Sequence, residues 1–275
     1  MTGLSSRPMP DLTVPRGDVR LHVLRIDGSA DPGAPSLVLA NSLGTHLALW
    51  DAVLPHLPPG LRVIRWDKRG HGRSSAPPAP YAMGALVSDA EAVMEATGTR
   101  DAVFAGLSIG GMIAQGLAVK RPDLVRALVL SNTAARIGTK ALWEDRIAAV
   151  RRHGLEPLAD GILDRWFSRG FRRSDAVAPW REMLLSTTVE GYCGCCAAIA
   201  GTDFLTPTSG LRLPVLGIAG SEDGATPPDL VRETVDLVPG SRFELMRGAG
   251  HLPPVEAPEA YAALLTGFLD ATGHL

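Results

Sequence analysis

Gly106-Leu107-Ser108-Ile109-Gly110 lies between a short apolar run, 102–106, and a stretch of helical spacing, 110–120. A serine flanked two residues away on each side by glycine, at the joint of a strand and a helix, marks a sharp turn that presents a hydroxyl at a helix N-terminus. The glycines answer a steric need, since a side chain on either side would crowd the turn. Ser108 is therefore the candidate nucleophile. The backbone N–H of Ile109, the next residue, is a candidate donor to an oxyanion.

Outward from this turn, 19–26 alternates like a strand, apolar runs bounded by turn residues recur at 36–41, 62–66, 127–131 and 214–219, and 242–246 reads as the final strand. Helical or loop segments separate them, including 83–96 and the closing helix 258–269, and such alternation predicts a parallel sheet covered by helices. Between 131 and 214 the strand signal stops and helical stretches such as 141–151 and 189–200 replace it. That gap predicts a helical cap, 135–207, inserted into a core made of 1–134 and 208–275. With 275 residues, one catalytic unit fits the length.

A serine hydroxyl is a weak nucleophile, so it needs a base within hydrogen-bond reach and an acid to fix the tautomer of that base. His251 follows the last strand in Gly248-Ala249-Gly250-His251, where small residues let the loop bend. The turn after 214–219 offers two carboxylates, Glu222 and Asp223. Serine, acid, histidine is the chain order expected where such a turn crowns an α/β sheet. Asn41-Ser42-Leu43-Gly44 follows the run 36–41, and the backbone N–H of Leu43 is the expected second oxyanion donor. His46 precedes the nucleophile and reads as a lining or surface residue.

Two other clusters have structural readings. Asp67-Lys68-Arg69-Gly70-His71-Gly72-Arg73-Ser74 is a charged, glycine-rich turn whose side chains are expected to satisfy its own backbone. Cys193, Cys195 and Cys196 have no second Cys or His cluster to complete a tetrahedral metal site, and they read as small packing residues of a cap helix.

A formal charge of −2 without a Lys/Arg block argues against nucleic acid or an anionic membrane as partner, and a small molecule is expected. Residues 1–15 lack a basic-then-apolar leader and no apolar run reaches the ~18 residues of a span, so a cytoplasmic protein is expected.

The chain resembles the 3-oxoadipate enol-lactonases, which have the α/β-hydrolase fold: a mostly parallel, doubly wound sheet with an inserted helical cap. The likeness covers roughly residues 20 to 270. It is carried by Asn41-Ser42-Leu43-Gly44-Thr45, Arg69-Gly70-His71-Gly72, Gly106-Leu107-Ser108, Gly220-Ser221-Glu222-Asp223 and Ala249-Gly250-His251. More specific are Asn132-Thr133-Ala134-Ala135-Arg136-Ile137-Gly138 and Cys195-Cys196-Ala197-Ala198. Ile109 stands where that family commonly has methionine.

The resemblance implies that Asp223 rather than Glu222 orients His251. It also implies hydrolysis of 3-oxoadipate enol-lactone to 3-oxoadipate, without a cofactor. Broad carboxylesterases and cofactor-independent haloperoxidases share the same triad. A ligand receptor on this fold is disfavoured by the complete Ser-Asp-His set. The implied substrate carries a free carboxylate, and Arg136, at the start of the cap, is the expected partner for it, with Trp143 lining the same pocket.

Overall fold

A computed structural model describes residues 11–31 and 33–275. Residues 1–10, most of the stretch read as lacking a leader, lie outside the described residues, as does Pro32.

The strands are β1 (Leu12–Arg16), β2 (Val19–Asp27), β3 (Ser36–Ala40), β4 (Arg62–Trp66), β5 (Ala102–Leu107), β6 (Val125–Ser131), β7 (Val215–Gly220) and β8 (Arg242–Met246). Among the described residues they form one sheet in the order β1-β2-β4-β3-β5-β6-β7-β8. β1 and β2 pair antiparallel, β2 runs antiparallel to β4, and every pairing from β4 to β8 is parallel. Every residue of β3, β4, β5 and β7 is buried. Burial on both faces explains why these strands read as continuous apolar runs instead of alternating ones. In their midst Phe104 of β5 meets Trp66 of β4 edge to face, with ring centroids 5.9 Å apart. Truncating such a ring to alanine costs about 3–5 kcal/mol.

β1 departs from expectation. The polar, proline-rich start of the chain gave no strand, yet Leu12 to Arg16 pairs with β2, Leu12 opposite Val23 and Pro15 opposite Arg20. Proline is tolerated there because β1 is an edge, where its missing N–H breaks no inner ladder.

α1 (Met83–Ala96) and α2 (Ile109–Lys120) pack on each other, and α2 also covers β5 and β6. Between β6 and β7 the regular elements are all helical: α3 (Lys140–His153), α4 (Ala159–Trp166), α5 (Ala178–Leu185), α6 (Val189–Ala200) and α7 (Leu205–Ser209), with short 3-10 turns among them. α8 (Pro228–Val235) packs on β7, and the short α9 (Pro253–Glu256) leads into α10 (Pro258–Ala271).

α6 docks on the loop after β4 through glycine against glycine. A Cβ on Gly70 would fall 2.1 Å from Gly191 Cα, and one on Gly191 would fall 2.0 Å from the Gly70 carbonyl oxygen. The three cysteines lie on α6, buried and unpaired. The C-terminal ends of the parallel strands thus open toward the inserted helices, the place where ligands bind in open α/β sheets.

Candidate active site

Ser108 stands at the turn between β5 and α2 with φ +58°, a left-handed conformation that costs a non-glycine residue about 1–3 kcal/mol. Its backbone bonds over-determine that conformation. Ser108 N–H donates to Ser131 O at 3.0 Å, while Thr133 Oγ1 and the Gly111 N–H donate to Ser108 O at 2.6 and 2.9 Å. The flanking glycines are required by contact. A Cβ on Gly106 would meet Gly110 O at 2.2 Å, and one on Gly110 would meet Ala40 O at 2.2 Å.

Asp223 follows β7 and His251 follows β8. Asp223 Oδ2 lies 2.8 Å from His251 Nδ1, and both side chains are buried. The same oxygen accepts from Thr226 Oγ1 and from Asn132 Nδ2, each at 2.8 Å, and Oδ1 accepts from the Ala225 and Thr226 N–H groups at 2.7 and 2.9 Å. Burial works to raise the Asp223 pKa, but the His251 charge and these donors outweigh it, so the carboxyl sits below its usual value. Glu222, the competing acid, instead accepts from the Arg169 N–H at 2.9 Å.

Sequence reasoning gave no role to Asn132 or Thr226. Asn132 takes φ +47° just after β6, a conformation that asparagine tolerates better than most residues, and this aims its amide at Asp223 and at Gly250 O. The residue type after a strand end was the available signal.

The C-terminal end of α4 and the residues just after it tie the inserted helices to both loops. His251 N–H donates to Trp166 O at 2.7 Å, and Gly224 N–H donates to Arg165 O at 3.2 Å. Glu256 accepts from the Gly250 N–H at 2.7 Å and from the Ser168 N–H at 3.1 Å, and its burial raises its pKa.

The charged turn after β4 serves its own backbone, as where Asp67 Oδ2 accepts from the Arg73 N–H at 2.9 Å, and beyond that expectation it also holds residues 41–45. Gly44 N–H donates to His71 Nε2 at 3.0 Å, and Lys68 Nζ donates to Ser42 O at 2.7 Å. Burial first, then the Lys68 charge, keeps His71 well below the usual histidine range, so it is a neutral acceptor. His46 caps a 3-10 turn, where its Nδ1 accepts from the Ala48 N–H at 3.3 Å. The backbone N–H groups of Leu43 and of Ile109, which opens α2, have no acceptor among the described residues.

Ser42, Leu43, Ser108 and His251 line one cavity of about 170 Å³. Trp143 lines it too, and its Nε1–H donates to Ile137 O at 2.6 Å. Arg136 does not. Its guanidinium is 61% exposed, lies 3.3 Å from Asp203 and borders a separate surface groove with Lys140 and Thr202. The chain before it is pinned, because Ala135 N–H donates to Thr234 Oγ1 and Ala135 O accepts from the Phe204 N–H, and this turns residue 136 outward.

The cations of the cavity are instead Arg146, from α3, and Arg165, from α4. Arg146 lies over the Trp143 ring at 5.4 Å and reaches the Tyr192 hydroxyl at 3.5 Å. Neither arginine has a carboxylate within ion-pair distance among the described residues. Burial, and next the Arg146 charge, lowers the Arg165 pKa. Arg146 follows Trp143 by one helical turn, a spacing that could have drawn attention to it.

Residues 35–258 match the family described as the alpha/beta hydrolase fold. The chain is 34% identical over 251 residues to 3-oxoadipate enol-lactonase 2 of Acinetobacter baylyi, covering 90% of this chain and 92% of that protein. Among solved structures it is similar to the enol-lactonase from Burkholderia xenovorans, at 35% identity and a TM-score of 0.89, covering 94% of this chain and all (100%) of that one. A hydrolase from Pseudomonas aeruginosa also has a TM-score of 0.89, at 36% identity, covering 94% of this chain and 98% of that one. The chain belongs to the alpha/beta hydrolase fold family and is an ester or lactone hydrolase similar to the 3-oxoadipate enol-lactonases.

Proposed function

We propose that the protein hydrolyses a small lactone or enol ester that carries a free carboxylate, with 3-oxoadipate enol-lactone as the substrate. The observation that carries this reading is the pair of guanidiniums, Arg146 and Arg165, in the same cavity as Ser108 and His251. Two half-buried cations with no carboxylate within ion-pair distance among the described residues call for an anionic ligand, because pairing them in a partly desolvated site is worth more than in water. The cavity, about 170 Å³, is also smaller than the roughly 300–1,000 Å³ of drug-sized ligand pockets, which argues for a compact ring over a long acyl chain. Enol-lactonases at 34–35% identity support the same substrate.

In this reading Ser108 Oγ attacks the lactone carbonyl while His251 Nε2 takes its proton. Asp223 holds the imidazole with Nδ1–H toward its carboxylate and stabilises the imidazolium. The Leu43 and Ile109 N–H groups receive the oxyanion. Collapse opens the ring to an acyl-enzyme and releases the enol oxygen, which tautomerises to a ketone. His251 then activates water, and hydrolysis of the acyl-enzyme frees the second carboxylate. The helices of 135–207 act as the cap that carries the substrate-reading arginines.

Turnover of freshly generated enol-lactone, measured beside a neutral ester of similar size, tests the assignment. A kcat/KM at least about a hundred-fold higher for the enol-lactone is expected from two charged contacts. Equal values, or a preference for the neutral ester, would mean that the cavity is that of a general carboxylesterase.

A further inference from the structure

Lys68 is a buried cation that the reaction as written does not use. Its side chain follows β4 and is 1% exposed, with Nζ 2.7 Å from Ser42 O and 3.3 Å from Thr45 O. It has no carboxylate within ion-pair distance among the described residues. The neighbouring Asp67 spends its oxygens on His22 Nδ1 and on the Leu47 and Arg73 N–H groups.

The need to hold residues 41–45 does not explain a charge at this place. Ser42 O also accepts from Thr45 Oγ1 at 2.9 Å, Thr45 O also accepts from Asn41 Nδ2, and Gly44 N–H is held by His71. The loop keeps a donor on each of these carbonyls without Lys68.

Which carbonyl Lys68 binds is informative. Ser42 C=O and Leu43 N–H are the two ends of one peptide unit. An ammonium on the carbonyl oxygen draws electron density through the conjugated amide and leaves its N–H more positive. It also sets a full positive charge behind the donor in a site of low dielectric, where charge acts strongly.

We infer that Lys68 is a positioning residue for the oxyanion hole, its ammonium polarising the Ser42–Leu43 peptide so that the Leu43 N–H binds the oxyanion more tightly than the ground-state carbonyl. This rests on the assignment of Leu43 as oxyanion donor. Because the gain appears as negative charge develops, it belongs to kcat more than to KM.

Burial pushes the Lys68 ammonium down to about 8, opposed by Cys195 and Asp67. The titratable groups around it are Asp67 and His71 on its own loop, His46 beyond the 41–45 loop, and Cys195 from α6. Burial raises the Cys195 thiol to about 12, and both His46 and His71 are lowered by burial, so these three are uncharged between pH 7 and 10. Lys68 is the one of this set that changes charge in that window.

The experiment measures kcat and KM for phenyl acetate from pH 6 to 10 in wild type and Lys68→Met, with Ser108→Ala as control and melting temperatures alongside. Wild-type kcat is expected to fall about ten-fold on passing through about pH 8, less than the 10²–10³ for outright loss of a donor. Lys68→Met is expected to have about ten-fold lower kcat at pH 7, KM within about two-fold, and no alkaline fall.

The folded-state value of the ammonium lies below its unfolded value of about 10.4, so the buried charge destabilises the fold at all pH below about 8 and is relieved above it. Lys68→Met should therefore melt no lower than wild type at pH 7, which a purely structural lysine would not allow.

Three outcomes would overturn the inference: wild-type kcat flat to pH 9.5, Lys68→Met equal to wild type at pH 7, or an unchanged alkaline fall in Lys68→Met. If Lys68→Met does not fold, the wild-type profile alone decides. Activity surviving in Ser108→Ala would instead overturn the nucleophile assignment.

Discussion

Two buried Asp–His pairs occur in this molecule with the same geometry at the contact. Asp67 Oδ2 lies 2.8 Å from His22 Nδ1, and Asp223 Oδ2 lies 2.8 Å from His251 Nδ1. They differ at the far edge of the imidazole. His22 Nε2 accepts from Arg73 Nη1 at 3.1 Å, and Arg73 is itself paired with Asp11, so that edge is closed by a neutralised cation. His251 Nε2 has no partner among the described residues, and its ring lines a cavity with Ser108 and with two arginines that lack counter-charges. An Asp–His contact alone therefore says little about chemistry. What would separate a general base from a structural clamp is an open ring nitrogen in a cavity shared with a candidate nucleophile and room for a substrate.

The sharpest way to break this contrast is at the proposed nucleophile. Ser108→Ala should lower kcat by on the order of 10⁶, as expected for residues that act as a unit, with the fold intact by circular dichroism. Retention of more than a few per cent of turnover would put the open edge of His251 to some other use.

Matched substitutions in the two acids come next. Asp223→Asn should cost roughly 10⁴ in kcat by favouring the wrong tautomer of His251. Asp67→Asn should change kcat less than about ten-fold, yet weaken the bonds to His22, Leu47 and Arg73. A loss of about 1–3 kcal/mol there corresponds to a melting temperature lower by about 2–10 °C. Similar kinetic losses from the two variants would erase the distinction.

Cations beyond each imidazole give a third, smaller test. Arg146→Ala should lower kcat/KM for the enol-lactone about ten- to a hundred-fold while leaving phenyl acetate nearly unaffected. Arg73→Ala, whose charge already has its anion, should leave both substrates near wild type.

The smallest effect concerns His71, a buried imidazole that belongs to neither pair. It is held neutral in the fold, so the unfolded chain binds a proton at about pH 6.5 that the folded chain refuses. Its contribution to stability is whole above about pH 6.5 and is lost as pH falls toward its lower folded-state value. In that window His71 alone should contribute a slope of about 1.4 kcal/mol per pH unit, or about 3–6 °C in melting temperature. His71→Asn should flatten the melting-temperature profile below pH 6.5 by that amount.

What could be read from the chain alone divides along the same physical line. Gly106, Ser108 and Gly110 were legible because a tight turn leaves only those residue types room, a constraint written locally. β3 through β7 were legible because burial on both faces yields apolar runs. β1 was not, since Pro15 and its polar surroundings hide a strand that exists through pairing with β2.

Arg136, expected to meet the substrate carboxylate, falls outside the cavity for a related reason. Arg136 lies close in sequence to the end of β6, but its direction is set by Ala135 bonding to distant Thr234 and Phe204. Arg146 and Arg165 reach the cavity only because α3 and α4 dock over the sheet, and no local pattern encodes that docking.

The most direct test of the account is labelling of the native enzyme with an organophosphonate ester, followed by peptide mapping and residual-activity measurement. One equivalent on Ser108, with activity lost in proportion to labelling and the reaction slowed in Asp223→Asn, is the expected result. An adduct elsewhere, or full hydrolysis by protein labelled at Ser108, would contradict it.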